Sequence, residues 1–183
     1  MKKFELTSET KINIFGKKLF RIKALVSFGV VKTGETGGWV EKEENVNQSG
    51  DAWVFGNAEV SGDARVSGDA RVFGNARVSG DAWVFGDAEV FGNARVSGNA
   101  RVFDNAEVFG NADYTTIHGF GTQFRTTTFF RCKDKQVKVS CGCFYGTIPE
   151  FREQVKNTRD GKIAEEYLMI ADLMEKHFAE EAK

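Results

Sequence analysis

Several residue types are scarce in this sequence, and their scarcity limits the classes of protein to which it can belong. The 183 residues include one proline, three cysteines and two histidines. The cysteines are odd in number and clustered at 132, 141 and 143. Such a set does not form the disulfide framework of a small secreted domain.

Long apolar runs and an excess of one charge are also missing. Lys and Arg (25) nearly balance Asp and Glu (26), for a net charge of -1. This balance argues against a nucleic-acid polymer or an anionic membrane as partner. The longest apolar stretch, residues 24–31, is too short to span a bilayer, and the start lacks the apolar run of a secretory signal. We expect a soluble protein of the cytoplasm, without membrane contact.

Glycine, by contrast, is abundant, with 20 residues, most of them inside a repeat. Val recurs at every sixth position from 54 to 108, Ala stands two residues before each Val, and Gly with Asp or Asn usually follows. Alternate strand residues point to opposite sides, so Ala and Val face inward, while Gly supplies a corner at positive φ. Three strands and corners per 18-residue coil predict a left-handed parallel β-helix. A period of six fits neither an α-helix nor a pentapeptide-repeat helix.

Residues that are 18 apart lie one above the other in successive coils. The residues that follow each Val therefore form three columns. One column is entirely Phe, one is entirely Ser, and the third is mixed. An outward-facing row of Phe indicates a surface that is covered, either by other subunits or by the C-terminal segment of the same chain. We expect a homo-oligomer, a trimer, with the Phe column as its interface. The Phe column is Phe55, Phe73, Phe91 and Phe109, the Ser column is Ser61, Ser79 and Ser97, and the mixed column is Ser67, Phe85 and Phe103.

The second outward position of each hexapeptide carries the charged residues and two tryptophans. These side chains either stack on the surface through cation–π contacts or form an anion site, because guanidinium forks and aromatic planes suit phosphate and purine. The candidate ligand-binding residues are Arg65, Arg77, Trp83, Arg95 and Arg101. The columns read Trp53, Arg71, Glu89 and Glu107 beside the Phe column, Glu59, Arg77, Arg95 and Asp113 beside the Ser column, and Arg65, Trp83 and Arg101 in the third.

The two flanks complete the domain organisation. Residues 1–49 contain β-like segments, and Val40 and Val46 are offset by two residues from the repeat register. We therefore expect a small N-terminal sheet and an irregular first coil, which cap a β-helix at 50–113.

Residues 114–183 predict a β-hairpin with its turn at 133–136, followed by two helices. Thr147 and Glu150 form a capping box with Pro149 between them, which predicts a helix at 148–158. A second helix, at 162–181, carries an apolar stripe that must be buried. The second hairpin strand places Val137, Val139, Cys141 and Cys143 on one face, and the stripe is Ile163, Tyr167, Ile170, Met174 and Phe178.

Catalytic chemistry has few candidates. The cysteines with His118 or His177 could ligate a soft metal, but Cys-Gly-Cys in one strand lacks the form of a zinc knuckle. We expect free thiols, no metal and no cofactor. Two histidines cannot supply the three ligands of a carbonic anhydrase of this fold, and an acyltransferase would depend on His118 alone as general base. We therefore favour a binding protein over an enzyme.

Two stretches carry a family resemblance. GGWVEKEENV at 37–46, followed by the repeats, and CGCFYGT at 141–147 resemble phage- and prophage-encoded hexapeptide-repeat proteins, often labelled polymer-forming proteins or acyltransferases. The resemblance implies a left-handed β-helix, trimerisation and a role in the infected bacterial cytoplasm, and it brings no catalytic residues. Phage proteins of several folds sequester nucleotide signals of host immunity. We therefore expect a non-enzymatic oligomer that binds an anionic nucleotide-derived molecule between subunits. An acyl-CoA-dependent acyltransferase and a purely structural module are the alternatives.

Overall fold

The chain divides into two units at Asn111 in the computed structural model, which describes residues 2–179. The first unit, Met1–Asn111, begins with an antiparallel cap of β1 (Phe4–Ile12), β2 (Lys18–Ala24) and β3 (Thr36–Val40), followed by a 3-10 helix at Glu43–Asn45. Short repeat strands follow. They are β4 (Trp53–Val54), β5 (Glu59–Val60), β6 (Arg65–Val66), β7 (Arg71–Val72), β8 (Arg77–Val78), β9 (Trp83–Val84), β10 (Glu89–Val90), β11 (Arg95–Val96), β12 (Arg101–Val102) and β13 (Glu107–Val108).

The repeat strands pair in parallel with a constant step of one 18-residue coil. Val54 pairs with Val72, Val72 with Val90, and Val90 with Val108, and the other two sides of the coil follow the same rule. The Ala and Val residues of the repeat, from Ala52 to Val108, are completely buried. The predicted fold class, a parallel β-helix with β segments before it and a hairpin and helices after it, is confirmed.

The cap continues one side of the β-helix. Strand β3 pairs in parallel with β5, so Val40 meets Val60 and an isolated bridge joins Val46 to Val66. Both steps are 20 residues rather than 18, which confirms the predicted two-residue offset. The sheet therefore runs β1-β2-β3-β5-β8-β11, and it changes from antiparallel to parallel pairing at β3.

Polar side chains satisfy backbone carbonyl groups at the start of the β-helix, where no earlier coil can do so. Asn45 is fully buried, and its Nδ2 donates to Gly62 O (3.0 Å) and Ala64 O (2.8 Å). The Nζ of Lys3 donates in the same way to two carbonyls, Gly50 O at 3.0 Å and Ala52 O at 2.9 Å. At these positions of the first coil, side chains of the cap thus take the place of a neighbouring strand.

Trp53 differs from its expected exposure. It occupies an outward position of the first coil, but it is completely buried because the cap covers it. The rings of Phe4 and Phe28 contact its indole edge-on, at centroid distances of 5.7 Å and 5.3 Å. The expectation that Trp53 forms part of an exposed column is therefore wrong.

The second unit, Ala112–Lys183, is a four-stranded antiparallel sheet with two helices. The predicted hairpin forms the middle pair of strands, β15 and β16, and an additional strand pairs on each side. Strand β16 ends at Cys141 because Gly142, at φ +62°, turns the chain, so Cys143 does not continue the strand face as expected. The strands are β14 (Tyr114–Phe120), β15 (Arg125–Arg131), β16 (Val137–Cys141) and β17 (Phe144–Thr147).

The helices follow the sequence prediction closely. Helix α1 spans Ile148–Thr158, and Glu150 N donates to Thr147 Oγ1 (3.4 Å) while Glu150 Oε2 accepts from Thr147 N (2.7 Å), which confirms the capping box. Helix α2 spans Gly161–Phe178, and residues 180 and 181 of its predicted end lie outside the described residues. Its apolar stripe packs against Phe129, Val139 and Phe151 of the same unit. Neither helix combines the length and the hydropathy needed to cross a membrane within the described part of the chain.

The corner glycines allow a direct test of coil stacking. A Cβ on Gly68 (φ +68°) would lie 2.9 Å from Gly86 N of the next coil, whereas a Cβ on Gly56 (φ +58°) would meet nothing within 4 Å. Gly56→Ala should therefore cost only the left-handed backbone, about 1–2 kcal/mol. Gly68→Ala should cost more, because the next coil must also move. Urea unfolding followed by circular dichroism measures both, and equal costs would contradict tight stacking at Gly68.

The buried ammonium of Lys3 makes stability depend on pH. Burial lowers the pKa of Lys3 from 10.5 to about 8, although Asp51 and Asp69 oppose the change. Between these two values the unfolded chain holds a proton that the folded chain has released, so stability rises with pH in this window. The free energy of unfolding of the natural protein, relative to Lys3→Met, should increase between about pH 8 and pH 10.5. A difference that does not change with pH would contradict this assignment.

Candidate functional site

The third column forms its own side of the β-helix. Strands β6, β9 and β12 make a three-stranded sheet in which Trp83 pairs with Arg65 on one side and Arg101 on the other. Successive coils are about 4.8 Å apart, so the backbones of the two arginines are separated by about 10 Å, with the indole between them. The structure therefore brings these three candidate residues together.

Trp83 presents an aromatic surface that its neighbours hold in place. Its side chain is 39% exposed, and its Nε1 donates to Ser67 Oγ at 3.3 Å. The ring of Phe85 lies 5.1 Å from the indole and stacks in turn on Phe103 at 4.6 Å. Trp83 is thus an exposed aromatic plane with a fixed edge, and the sequence analysis did not foresee the supporting Phe85–Phe103 stack.

A groove of about 450 Å³ lies between this aromatic surface and the cap. The β-helix contributes Arg65, Ser67 and Trp83 to its lining, together with the buried edge of Val66. The cap contributes polar residues that follow β3 and that the sequence analysis did not select. These are Glu43, Glu44, Asn47 and Gln48. The polar run EENVNQ directly after the β3 segment is the signal that could have identified them.

The charges around the groove are mixed. Glu43 accepts from Lys2 Nζ at 2.7 Å and from Gln48 Nε2 at 2.9 Å, and the bond from Lys2 is the main reason that the pKa of Glu43 lies below its usual value. A smaller pocket of about 230 Å³ adjoins Arg65 and Trp83 and is lined by Asp63 and Asp81. Arg65 therefore shares these two pockets with the acidic side chains of Glu43, Glu44, Asp63 and Asp81, and the groove suits a ligand with few negative charges and some hydrogen-bond donors.

Arg77 and Arg95 lie on a different side of the β-helix. They pair with each other on β8 and β11, in the sheet that continues the cap. Arg77 Nε is 3.5 Å from Glu59 Oε2, and Glu59 also pairs with Lys11 at 2.8 Å. The groove lined by Arg65 and Trp83 does not include these two candidates, so only contact between subunits could unite the whole predicted set.

The Phe column forms a chain of ring contacts along the side of the β-helix that contains β4, β7, β10 and β13. Phe73 stacks on Phe91 at 4.8 Å, and Phe91 meets Phe109 edge-on at 5.2 Å. Phe55 is half-buried at one end of the column, while Phe109 is 62% exposed at the other. The column is therefore an apolar ridge on a single chain.

His118 lies in the second unit, on β14. Its ring is exposed, and Nδ1 lies 3.3 Å from Thr126 Oγ1. Among residues 2–179, no carboxylate lies within ion-pair distance of His118 to orient it as a general base. The three cysteines form no disulfide, and the described residues contain no group of three or more His, Cys, Asp or Glu that could hold a metal ion.

Comparison with known proteins supports the architecture and assigns no activity. A family model described as the YdcK beta solenoid repeat matches residues 70–86 and 94–110. Each matched segment is nearly one 18-residue coil, and the first includes Trp83. The two segments cover less than a fifth of the chain, and no curated protein matches it. The β-solenoid repeat is therefore shown, whereas the function must be argued from the groove.

Proposed function

We propose that this protein is a non-enzymatic binding protein of the bacterial cytoplasm that holds a nucleotide-derived anion in the groove between its cap and its β-helix. One observation carries the proposal: the exposed indole of Trp83 and the guanidinium of Arg65 line the same groove of about 450 Å³. This volume lies within the range of pockets that bind small molecules.

The proposed binding mode uses each kind of lining group. The base stacks on Trp83, an interaction worth about 1–3 kcal/mol per base. Arg65 donates to a phosphate group, because its planar fork matches two phosphate oxygens. Glu44, which is exposed beside the groove, accepts from an amino group or a ribose hydroxyl. Glu43 and Glu44 repel additional phosphates, so the ligand carries one or two negative charges and is not a polyphosphate.

The identity of the ligand as an immune signal is the most specific part of the proposal. It is supported by the resemblance of GGWVEKEENV and CGCFYGT to phage-encoded hexapeptide-repeat proteins. An abundant binding protein in an infected cell would lower the free concentration of such a signal without any chemical step. Trimerisation through the Phe column would place Arg77 and Arg95 of one subunit near the surface of another.

The two alternative functions depend on residues outside the groove. A purely structural module is favoured by the Phe ridge, which needs a partner surface and no ligand. An acyltransferase would need a positioned general base, and His118 has a threonine hydroxyl rather than a carboxylate beside it. The binding proposal therefore has the stronger support, and the ridge is compatible with it.

A binding experiment tests the groove. The purified protein is mixed with cyclic dinucleotides, ADP-ribose-type molecules or ATP, and free nucleotide is measured before and after heat denaturation. We expect depletion of a ligand with few phosphates, weak depletion of ATP, and release of the intact ligand on heating. Trp83→Ala should weaken binding by about tenfold or more, since the stacking surface is lost.

Arginine variants provide the matched comparison. Arg65→Gln should weaken binding about tenfold, which is the size expected for a charged hydrogen bond. Arg77→Gln removes the same charge from another side of the β-helix and should leave a groove within one chain unaffected. Loss of binding only in Arg77→Gln would move the site to a subunit interface. No depletion of any nucleotide would contradict the proposed function.

Native mass spectrometry tests the Phe column. We propose that the natural protein is a trimer and that Phe91→Arg yields monomers, because a charge in the middle of an apolar interface cannot be desolvated cheaply. Ser97→Arg places the same side chain on the neighbouring Ser column and should preserve the trimer. A monomeric natural protein at tens of micromolar, or equal effects of the two substitutions, would contradict this interface.

A further inference from the structure

A second pocket, of about 330 Å³, lies within the C-terminal unit. Residues from β15, the β16–β17 turn and both helices line it, and none of them belongs to the groove described above. Its principal lining residues are Arg125, Cys141, Cys143, Phe151, Arg159 and Tyr167. The pocket combines two cationic side chains with an aromatic wall, and neither the fold nor the proposed function uses it.

The two guanidinium groups of the pocket differ from the other arginines of the unit. Arg152 pairs with Asp172 and Glu175, both at 2.7 Å, and Arg131 Nε lies 3.5 Å from Asp113. Among the described residues, neither Arg125 nor Arg159 lies within ion-pair distance of a carboxylate. Within residues 2–179, the positive charge at this pocket is therefore not paired with a carboxylate.

Tyr167 shows that both cations act on the same point. Burial raises the pKa of Tyr167, Cys141 raises it further, and Arg159 and Arg125 both oppose the increase. The phenol stays protonated at neutral pH, and its hydroxyl donates to Phe120 O at 3.3 Å. Arg125 of β15 and Arg159 at the end of α1 thus line the same pocket as this neutral hydroxyl.

The turn glycine explains how Arg125 reaches the pocket. Gly142 has φ +62°, and a Cβ on it would lie 2.6 Å from Arg125 Nη1. The guanidinium therefore lies over the backbone of the turn, in space that any side chain at 142 would occupy. The glycine of the Cys-Gly-Cys segment thus serves both the turn and the position of the arginine.

We propose that this pocket binds a small molecule that carries a carboxylate or phosphate group on an aromatic or aliphatic body. Arg125 and Arg159 both donate to the oxyanion, and the aromatic rings of Phe144 and Phe151 contact the apolar body. This site is independent of the nucleotide groove, because its residues all belong to the second unit.

Titration of the full-length protein tests this proposal. Phenyl phosphate, benzoate and inorganic phosphate serve as probes, in buffers of equal ionic strength adjusted with chloride. Phenyl phosphate or benzoate should bind at one saturable site and slow the alkylation of Cys143, an exposed thiol of the lining. The preferred probe shows whether the oxyanion is phosphate or carboxylate. Inorganic phosphate should bind at least about tenfold more weakly, since it lacks the apolar body.

Three substitutions in the pocket and one control outside it test whether binding occurs at this site. Arg125→Gln and Arg159→Gln should each weaken binding about tenfold. Gly142→Asn keeps the left-handed turn but displaces Arg125, so it should also weaken binding while the melting temperature changes little. Lys156→Gln removes an exposed charge from α1 outside the pocket and should have no effect. Failure of all three probes to saturate, or an equal loss in Lys156→Gln, would overturn the proposal.

Discussion

The close stacking of one coil on the next is the constraint on which the rest of the first unit depends. Corner glycines at positive φ face the backbone of the following coil: a Cβ on Gly50 would lie 2.6 Å from Gly68 O, and one on Gly86 would lie 3.0 Å from Asp104 N. Asp104 itself adopts φ +59° in place of glycine, and no later hexapeptide follows in its column. This constraint favours glycine at the corners, and the buried Ala and Val residues fill the positions between them.

The candidate groove lies at the beginning of the β-helix, where the regular stacking of coils starts. Where the cap offers the first coil no backbone donor, buried polar side chains such as Asn45 and Lys3 donate to its carbonyl groups. The same cap segment that supplies Asn45 also places Glu43 and Glu44 across from Arg65 and Trp83. The same cap segment therefore closes the end of the repeat and forms one wall of the groove.

The two candidate sites show how little net charge says about binding. The chain has a net charge of -1, yet the pockets beside Arg65 include acidic side chains, whereas the lining of the pocket at Arg125 and Arg159 includes no Asp or Glu of the described residues. In the proposed binding modes, the first arrangement favours a ligand with few negative charges and with hydrogen-bond donors. The second favours a ligand whose oxyanion pairs with the two arginines. Ligand binding depends on which charged side chains lie next to each other, and the net charge of the chain does not show this.

The sequence by itself determined the β-helix, its columns, the two-residue offset at Val40 and the bounds of α1, because these depend on spacing along the chain and on local capping. It placed Arg65, Trp83 and Arg101 together for the same reason. Only the tertiary structure decided that Trp53 is buried, that Cys143 leaves the strand face and that Glu43 joins the groove. It also brought Arg125 and Arg159 to one pocket. These contacts join residues whose separation follows no repeat, so packing, and not periodicity, determines them.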